Sequence, residues 1–295
     1  MDNVGAMWLS AAPVVIEPRT FAKELGVGLA VLSFARGTYL SLLGTFGLAD
    51  GRAAPLLPGA LEGRMDGEVA VYRSSFGAPA AGMLMEALIA SGVGRVIVVG
   101  QAGSLSPQCR IGDVVLPTWG VREEGTSYHY LPPGAPCRPS PALLAEVRAV
   151  LGAVGPREGG VWTTDAPFRE TRDKVERYAR EGVLAVEMEC TALMSIAVYR
   201  GVEFAAVLLI TDELFGESWV EGFQTRRLAT TLRAVCCALP RVLGREASPA
   251  AQVGGEGSAV AGAAEGAAVP GTGQGSAVPG AGEGSAVPLT GESQS

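Results

Sequence analysis

Two long, mainly apolar runs constrain this chain most: RVIVVG at 95–100 and VEFAAVLLITD at 202–212. A strand with one face in water alternates apolar and polar residues, whereas a run without polar breaks needs cover on both faces. GVGLAVLSF (26–34), GEVAVYRSS (67–75), DVVLPT (113–118) and VLAVEM (183–188) read as further strands. Helical patterns lie between them. Pro79 stands where a first helical turn tolerates a missing N–H, and AAGMLMEALIAS then runs to Gly92 as a stop. Ser140-Pro141 opens ALLAEVRAVL, and ETRDKVERYAREG is a charged amphipathic helix ended by Gly182. CTALMSIAVYRG and TRRLATTLRAVCCALPRVL complete the set. Such alternation predicts one α/β domain around a mixed sheet.

Composition then divides the 295 residues. After Arg245 there is no Lys, Arg or aromatic residue, and residues 247–295 hold 12 of the 41 Gly. Four nonapeptides align there: GEGSAVAGA (255–263), AEGAAVPGT (264–272), GQGSAVPGA (273–281) and GEGSAVPLT (282–290). A fixed period can mark a β-solenoid. With little more than one Val per copy, burial cannot offset the entropy of ordering, so a disordered tail is expected. The expected organisation is an N-terminal extension at 1–24, a domain at 25–246 and the tail at 247–295.

Setting aside the four acids of the tail, the body carries 23 basic and 26 acidic residues. A net charge of −3 argues against a sequence-independent grip on nucleic-acid phosphates. No apolar run reaches the roughly 18 residues of a membrane span. The N-terminal MDNVGAMWLSAAPVVIEPR lacks a basic stretch ahead of its apolar run, so no signal peptide is read and the cytoplasm is the expected location. Five cysteines without CxxC spacing fit reduced thiols, and one His with no clustered ligands leaves no expected metal site.

The chemistry must therefore come from carboxylates, arginines and backbone. In VIVVGQAGSLSPQCRIGDVVLP (96–117), a strand ending in Gly100 and a turn through Gln101 and Gly103 would let backbone approach a ligand; many tight turns share this spacing. In VLAVEMECTAL, Glu187 and Glu189 flank Met188 at a strand-to-helix junction. Buried acids there need a partner, and a carboxylate can accept from two sugar hydroxyls. Equally, Glu189 could cap the helix and Glu187 meet an arginine. Asp212 closes AAVLLITD at the carboxyl end of a buried strand, where ligands bind in open α/β sheets, or simply starts a turn with Glu213. His129, between two Tyr, fits a general base or a hydrogen-bonded packing residue.

These segments together resemble the purine nucleoside phosphorylase and uridine phosphorylase superfamily, which includes methylthioadenosine/S-adenosylhomocysteine nucleosidase, over roughly residues 25–240. VGQAGSLSPQCRIGDVVLPT looks like its glycine-rich strand-turn, SFGAPAAGMLMEAL like its "GxGxPS" turn and helix, AVEMECTAL like its "VEMEaaal" segment, and LITD like its "xxSD" strand. The resemblance implies a central mixed, partly barrel-like β-sheet wrapped by helices. It also implies cleavage of a nucleoside's N-glycosidic bond by phosphate as co-substrate, or by water in the nucleosidases, with no cofactor. The implied partners are nucleoside and phosphate, in a homo-oligomer built from dimers, up to a hexamer.

By the same resemblance Glu189 matches the ribose-binding glutamate, with Met188 under the sugar and Glu187 completing the strand edge. Asp212 matches the acid that protonates or hydrogen-bonds a leaving purine at N7; uridine phosphorylases lack it, which favours purines. Trp162 and Thr163 align with the base-lining segment, although core packing explains Trp162 as well. Val98 and Gln101 stand where bacterial phosphorylases carry Arg and a hydroxyl for phosphate. Arg36 and Arg73 could compensate, together with the Gly100–Gln101 turn. The missing arginine points toward hydrolysis, while SFARG lacks the glutamate with which nucleosidases activate water. Arg169 and Arg172 in APFRETR, without a Gln, leave a uridine phosphorylase as the alternative. A nucleoside-binding member without turnover is the non-enzymatic alternative.

Overall fold

A computed structural model describes residues 12–248; the nonapeptide repeats lie outside the described residues. The chain runs through β1 (Leu29–Ser33), α1 (Arg36–Thr45), β2 (Arg52–Ala53), β3 (Ala60–Met65), β4 (Val69–Ser74), α2 (Ala78–Ala90), β5 (Arg95–Ser104) and β6 (Val114–Glu123). It continues through α3 (Pro141–Val150), β7 (Arg157–Thr164), α4 (Arg172–Arg180), β8 (Val183–Glu187), α5 (Cys190–Arg200), β9 (Glu203–Glu213), β10 (Val220–Glu221) and α6 (Arg226–Ala238).

The apolar runs are explained by where their strands lie. β5 is flanked by β1 and β9, parallel to both. Successive side chains point to opposite faces, and each face has its own core. Leu32, Val96, Val98, Phe204 and Ala206 join a cluster with Leu84, Leu88, Leu193 and Ile196 of α2 and α5. Leu29, Val31, Ile97, Val99 and Val207 join the other, with Leu42 of α1, Leu143 of α3 and Leu232 of α6. Neither face reaches water, so neither tolerates a polar residue.

The ten strands form one mixed sheet in the order β10-β9-β6-β7-β8-β5-β1-β4-β3-β2, and a further β9–β5 pairing closes it. The ring β5-β9-β6-β7-β8 is a five-stranded barrel, with β1, β4, β3 and β2 extending as an open sheet. β5 serves both parts. Its first half pairs with β1 and its end, at Gly103 and Ser104, pairs antiparallel with β8. The strand therefore does not end at Gly100 as the sequence predicts. It continues to Ser104 because the barrel supplies a ladder partner on each side. The domain is thus α/β, with a partly barrel-like mixed sheet covered by six α-helices among the described residues. None of these helices is long and apolar enough to cross a membrane.

Candidate active site

Strands β5, β8 and β9 bring their carboxyl ends to one cavity of about 620 Å³, lined by Gln101, Gly103, Glu170, Met188 and Asp212 among others. Phe168, Trp219 and Phe223 stand on its wall, with Phe168 and Trp219 exposed.

The two acids of VEMEC have different tasks. Glu187 ends β8 with both oxygens engaged: Oε1 accepts from the Thr163 hydroxyl at 2.5 Å, and Oε2 from the Glu189 and Cys190 N–H groups, each at 2.8 Å. Those N–H groups open α5 and have no intrahelical acceptor, so Glu187 caps the helix. The cap is therefore Glu187, two residues earlier than the alternative weighed from sequence, because Glu189 turns elsewhere. Its Oε1 accepts from the Gly77 N–H at 2.6 Å. Gly77, at φ +93°, begins α2 in a conformation that favours glycine. One hydrogen bond thus ties the SFGAP turn to the VEMEC segment. Burial, reinforced by the Glu187 charge, raises the Glu189 carboxyl above the usual carboxylate range.

Asp212 owes its direction to a bulge. β5 and β9 pair evenly until Ala102↔Ile210, after which Gly103 faces Asp212, leaving Thr211 as the extra residue. Such a bulge re-aims the following side chain. Oδ1 accepts from the Thr211 hydroxyl at 2.8 Å and Oδ2 from the Trp219 indole N–H at 2.8 Å. Burial raises the Asp212 carboxyl, opposed by those two hydrogen bonds. Gly103 makes room: a Cβ there would lie 2.3 Å from Leu214 Cδ1 and 2.9 Å from Asp212 Oδ2.

Across the cavity, Glu170 follows the 3₁₀ turn Pro167–Arg169. Burial and then the Asp212 charge push its carboxyl up to about 7. Arg172, two residues on, does not pair with it but donates to the Leu214 and Glu217 carbonyls. Sequence reasoning passed over Glu170 by reading APFRETR for its arginines. The available signal was an acid between Phe168 and Val175. Among the described residues, no group of three or more His, Cys, Asp or Glu side chains is disposed to hold a metal ion.

A profile of the Phosphorylase superfamily matches residues 60–240, more than half of the chain. The chain belongs to that superfamily. It is 31% identical over 156 residues to the DeoD-type purine nucleoside phosphorylase of Caldanaerobacter subterraneus subsp. tengcongensis, covering 50% of this chain and 65% of that protein. It is 32% identical over 151 residues to the DeoD-type enzyme of Bacillus cereus, covering 50% and 64%. The chain thus spans just under two thirds of the length of these relatives. The crystal structure of Toxoplasma gondii purine nucleoside phosphorylase in complex with immucillin-H shares the fold, with a TM-score of 0.63 and 17% identity over 79% of this chain and 96% of that one.

Of the positions with counterparts in the superfamily, Gln101, Glu187, Met188 and Asp212 line the cavity; Glu189 is buried against the Gly77 N–H and does not line it. Trp162 and Thr163 do not line it. Trp162 is fully buried against Tyr178, its indole N–H donating to Glu123 at 3.0 Å. Thr163 braces the α5 cap, donating to Glu187 and accepting from the Thr191 N–H. Gly100 sits in the core near Leu208. Arg36 and Arg73 follow or end β1 and β4 and converge on Glu62, Arg73 at 2.5 Å and Arg36 at 4.0 Å. Neither lines the cavity. His129 is exposed on the turn Thr126–His129.

Proposed function

We propose that this chain cleaves the N-glycosidic bond of a purine nucleoside with phosphate, giving free base and ribose 1-phosphate. The observation that carries the reading is the convergence of Asp212, from β9, and the Glu187–Met188 corner, from β8, on one cavity at the carboxyl ends of the two barrel strands that flank the end of β5. Ligands of open α/β sheets bind outside such strand ends. Glu189 would hold the ribose hydroxyls with Met188 under the sugar, and Asp212 would face the N7 edge of the departing base. Phe168, Trp219 and Phe223 offer the aromatic surface on which a base can stack. The DeoD-type relatives support phosphate as the nucleophile, with Gln101 on the cavity wall; Arg36 and Arg73, drawn to Glu62, stand away from it. Exposed Leu56, Leu61, Phe76 and Met83, around β3 and α2, support a homo-oligomer.

One observation favours a second reading, hydrolysis. Arg172 is the cation on the cavity wall, and its guanidinium is committed to backbone carbonyls; Arg73 is committed to Glu62. A phosphate dianion needs an uncommitted guanidinium or donor cluster. Incubation with inosine, adenosine and uridine, with and without phosphate, separates the readings. Phosphorolysis releases purine only when phosphate is present; release independent of phosphate assigns water as the nucleophile.

A further inference from the structure

Three carboxylates line the cavity; Glu187 is saturated by the α5 start and Thr163, and the other two, Glu170 and Asp212, have one set of hydrogen-bond donors between them. Asp212 receives the Thr211 hydroxyl on one oxygen and the Trp219 indole on the other, so both oxygens are acceptors of the kind that suit an ionised group. Glu170 lines the same cavity and, among the described residues, makes no side-chain hydrogen bond or ion pair. Charged neighbours do not rescue it. Arg172, at the first turn of α4, donates to carbonyls; Glu187, at the end of β8, is saturated; Arg169 precedes it on its own turn. Two like charges facing one cavity without a cation between them oppose each other's ionisation.

We propose that Glu170 carries the proton that leaves with the base, while Asp212, on the same cavity, stays ionised. This rests on the reading of the cavity as a nucleoside site. As the bond from C1′ to the base nitrogen breaks, its electron pair goes to the base. The Glu170 proton moves to a base nitrogen, so the base departs neutral and Glu170 becomes a carboxylate. An oxygen of phosphate or water adds to C1′, and the proton that nucleophile gives up returns through solvent to Glu170. Asp212 then accepts a hydrogen bond from the newly protonated base. Burial and the Asp212 charge bring the Glu170 carboxyl to about 7, where a general acid is half loaded at neutral pH.

The test combines rate and titration on the full chain. Glu170→Gln should lower kcat/KM for inosine by about 10²–10⁴-fold and abolish the fall in rate above pH about 7. On 7-methylinosine, whose base already carries the positive charge, the same variant should stay within about tenfold of the native rate. ¹³C-carboxyl NMR, assigned with Glu170→Gln and Asp212→Asn, should show Glu170 as the group protonating near 7. A Glu170→Gln protein that keeps both the inosine rate and the alkaline limb overturns the proposal. So does a titration that puts the near-neutral proton on Asp212, and in that case the nucleoside reading survives. Failure of the native protein to cleave either nucleoside instead removes the nucleoside reading, and this assignment with it.

Discussion

Glu187 accepts three hydrogen bonds inside the protein, from the Thr163 hydroxyl and from two N–H groups at the start of α5. Glu189, two residues on, accepts from Gly77 at the opening of α2 and follows Met188 of the cavity wall. The pattern E-M-E told of a strand-to-helix junction with acids, but which acid would cap depended on the approach of Gly77, 112 residues away in sequence. Glu187→Ala leaves two buried N–H donors and the Thr163 hydroxyl without their acceptor. Each unsatisfied buried group costs about 1–3 kcal/mol, so the loss should reach about 2–5 kcal/mol in urea unfolding. An unchanged midpoint would remove Glu187 from its structural role.

At the scale of elements, the barrel depends on close approaches that glycine permits. Gly103→Ala drives a methyl into Leu214 and the Asp212 carboxylate. Relief requires β9 to shift at its bulge, so the variant should lose about 1–3 kcal/mol and most of its activity. Denaturant midpoint and base release measured on one preparation check both. The same feature governed what the sequence revealed. β1, β4, β5, β8 and β9 are legible because two-sided burial writes itself as apolar runs. β7, REGGVWTT, is not, since its Gly159 and Gly160 lie under Leu184 and Trp119, whose side chains a Cβ would meet within 2.6 Å. Its glycines weaken the strand signal where the fold requires them. Trp162 follows the same logic: aligned with a base-lining segment, it points into the core of α4 and β8 instead. Asp212 was legible as a strand end, but not the Thr211 bulge that aims it.

For the whole molecule, the raised carboxyls give a pH signature. Glu170, Glu187, Glu189 and Asp212 all bind protons more tightly folded than unfolded, chiefly through burial. The stability they contribute is fully present below their unfolded values near 4 and is lost as pH rises through the folded ones. Asp66, Glu123 and Glu158 are pushed down, so their contribution is lost only below their ordinary values of 3.8 and 4.5. Tm should therefore fall between pH 5 and 8, with a smaller slope in Glu170→Gln; a Tm that rises across this window contradicts the burial of these acids in the native state. The central claim, that the cavity at the ends of β5, β8 and β9 is where a nucleoside is cleaved, meets its most direct test in Glu189→Ala. Base release from inosine is to be followed in the native protein and the variant, with phosphate present and absent. The native protein should free hypoxanthine, and the variant, folded but unable to hold the ribose, should fall by at least about 10²-fold. Release by Glu189→Ala at the native rate would contradict the central claim.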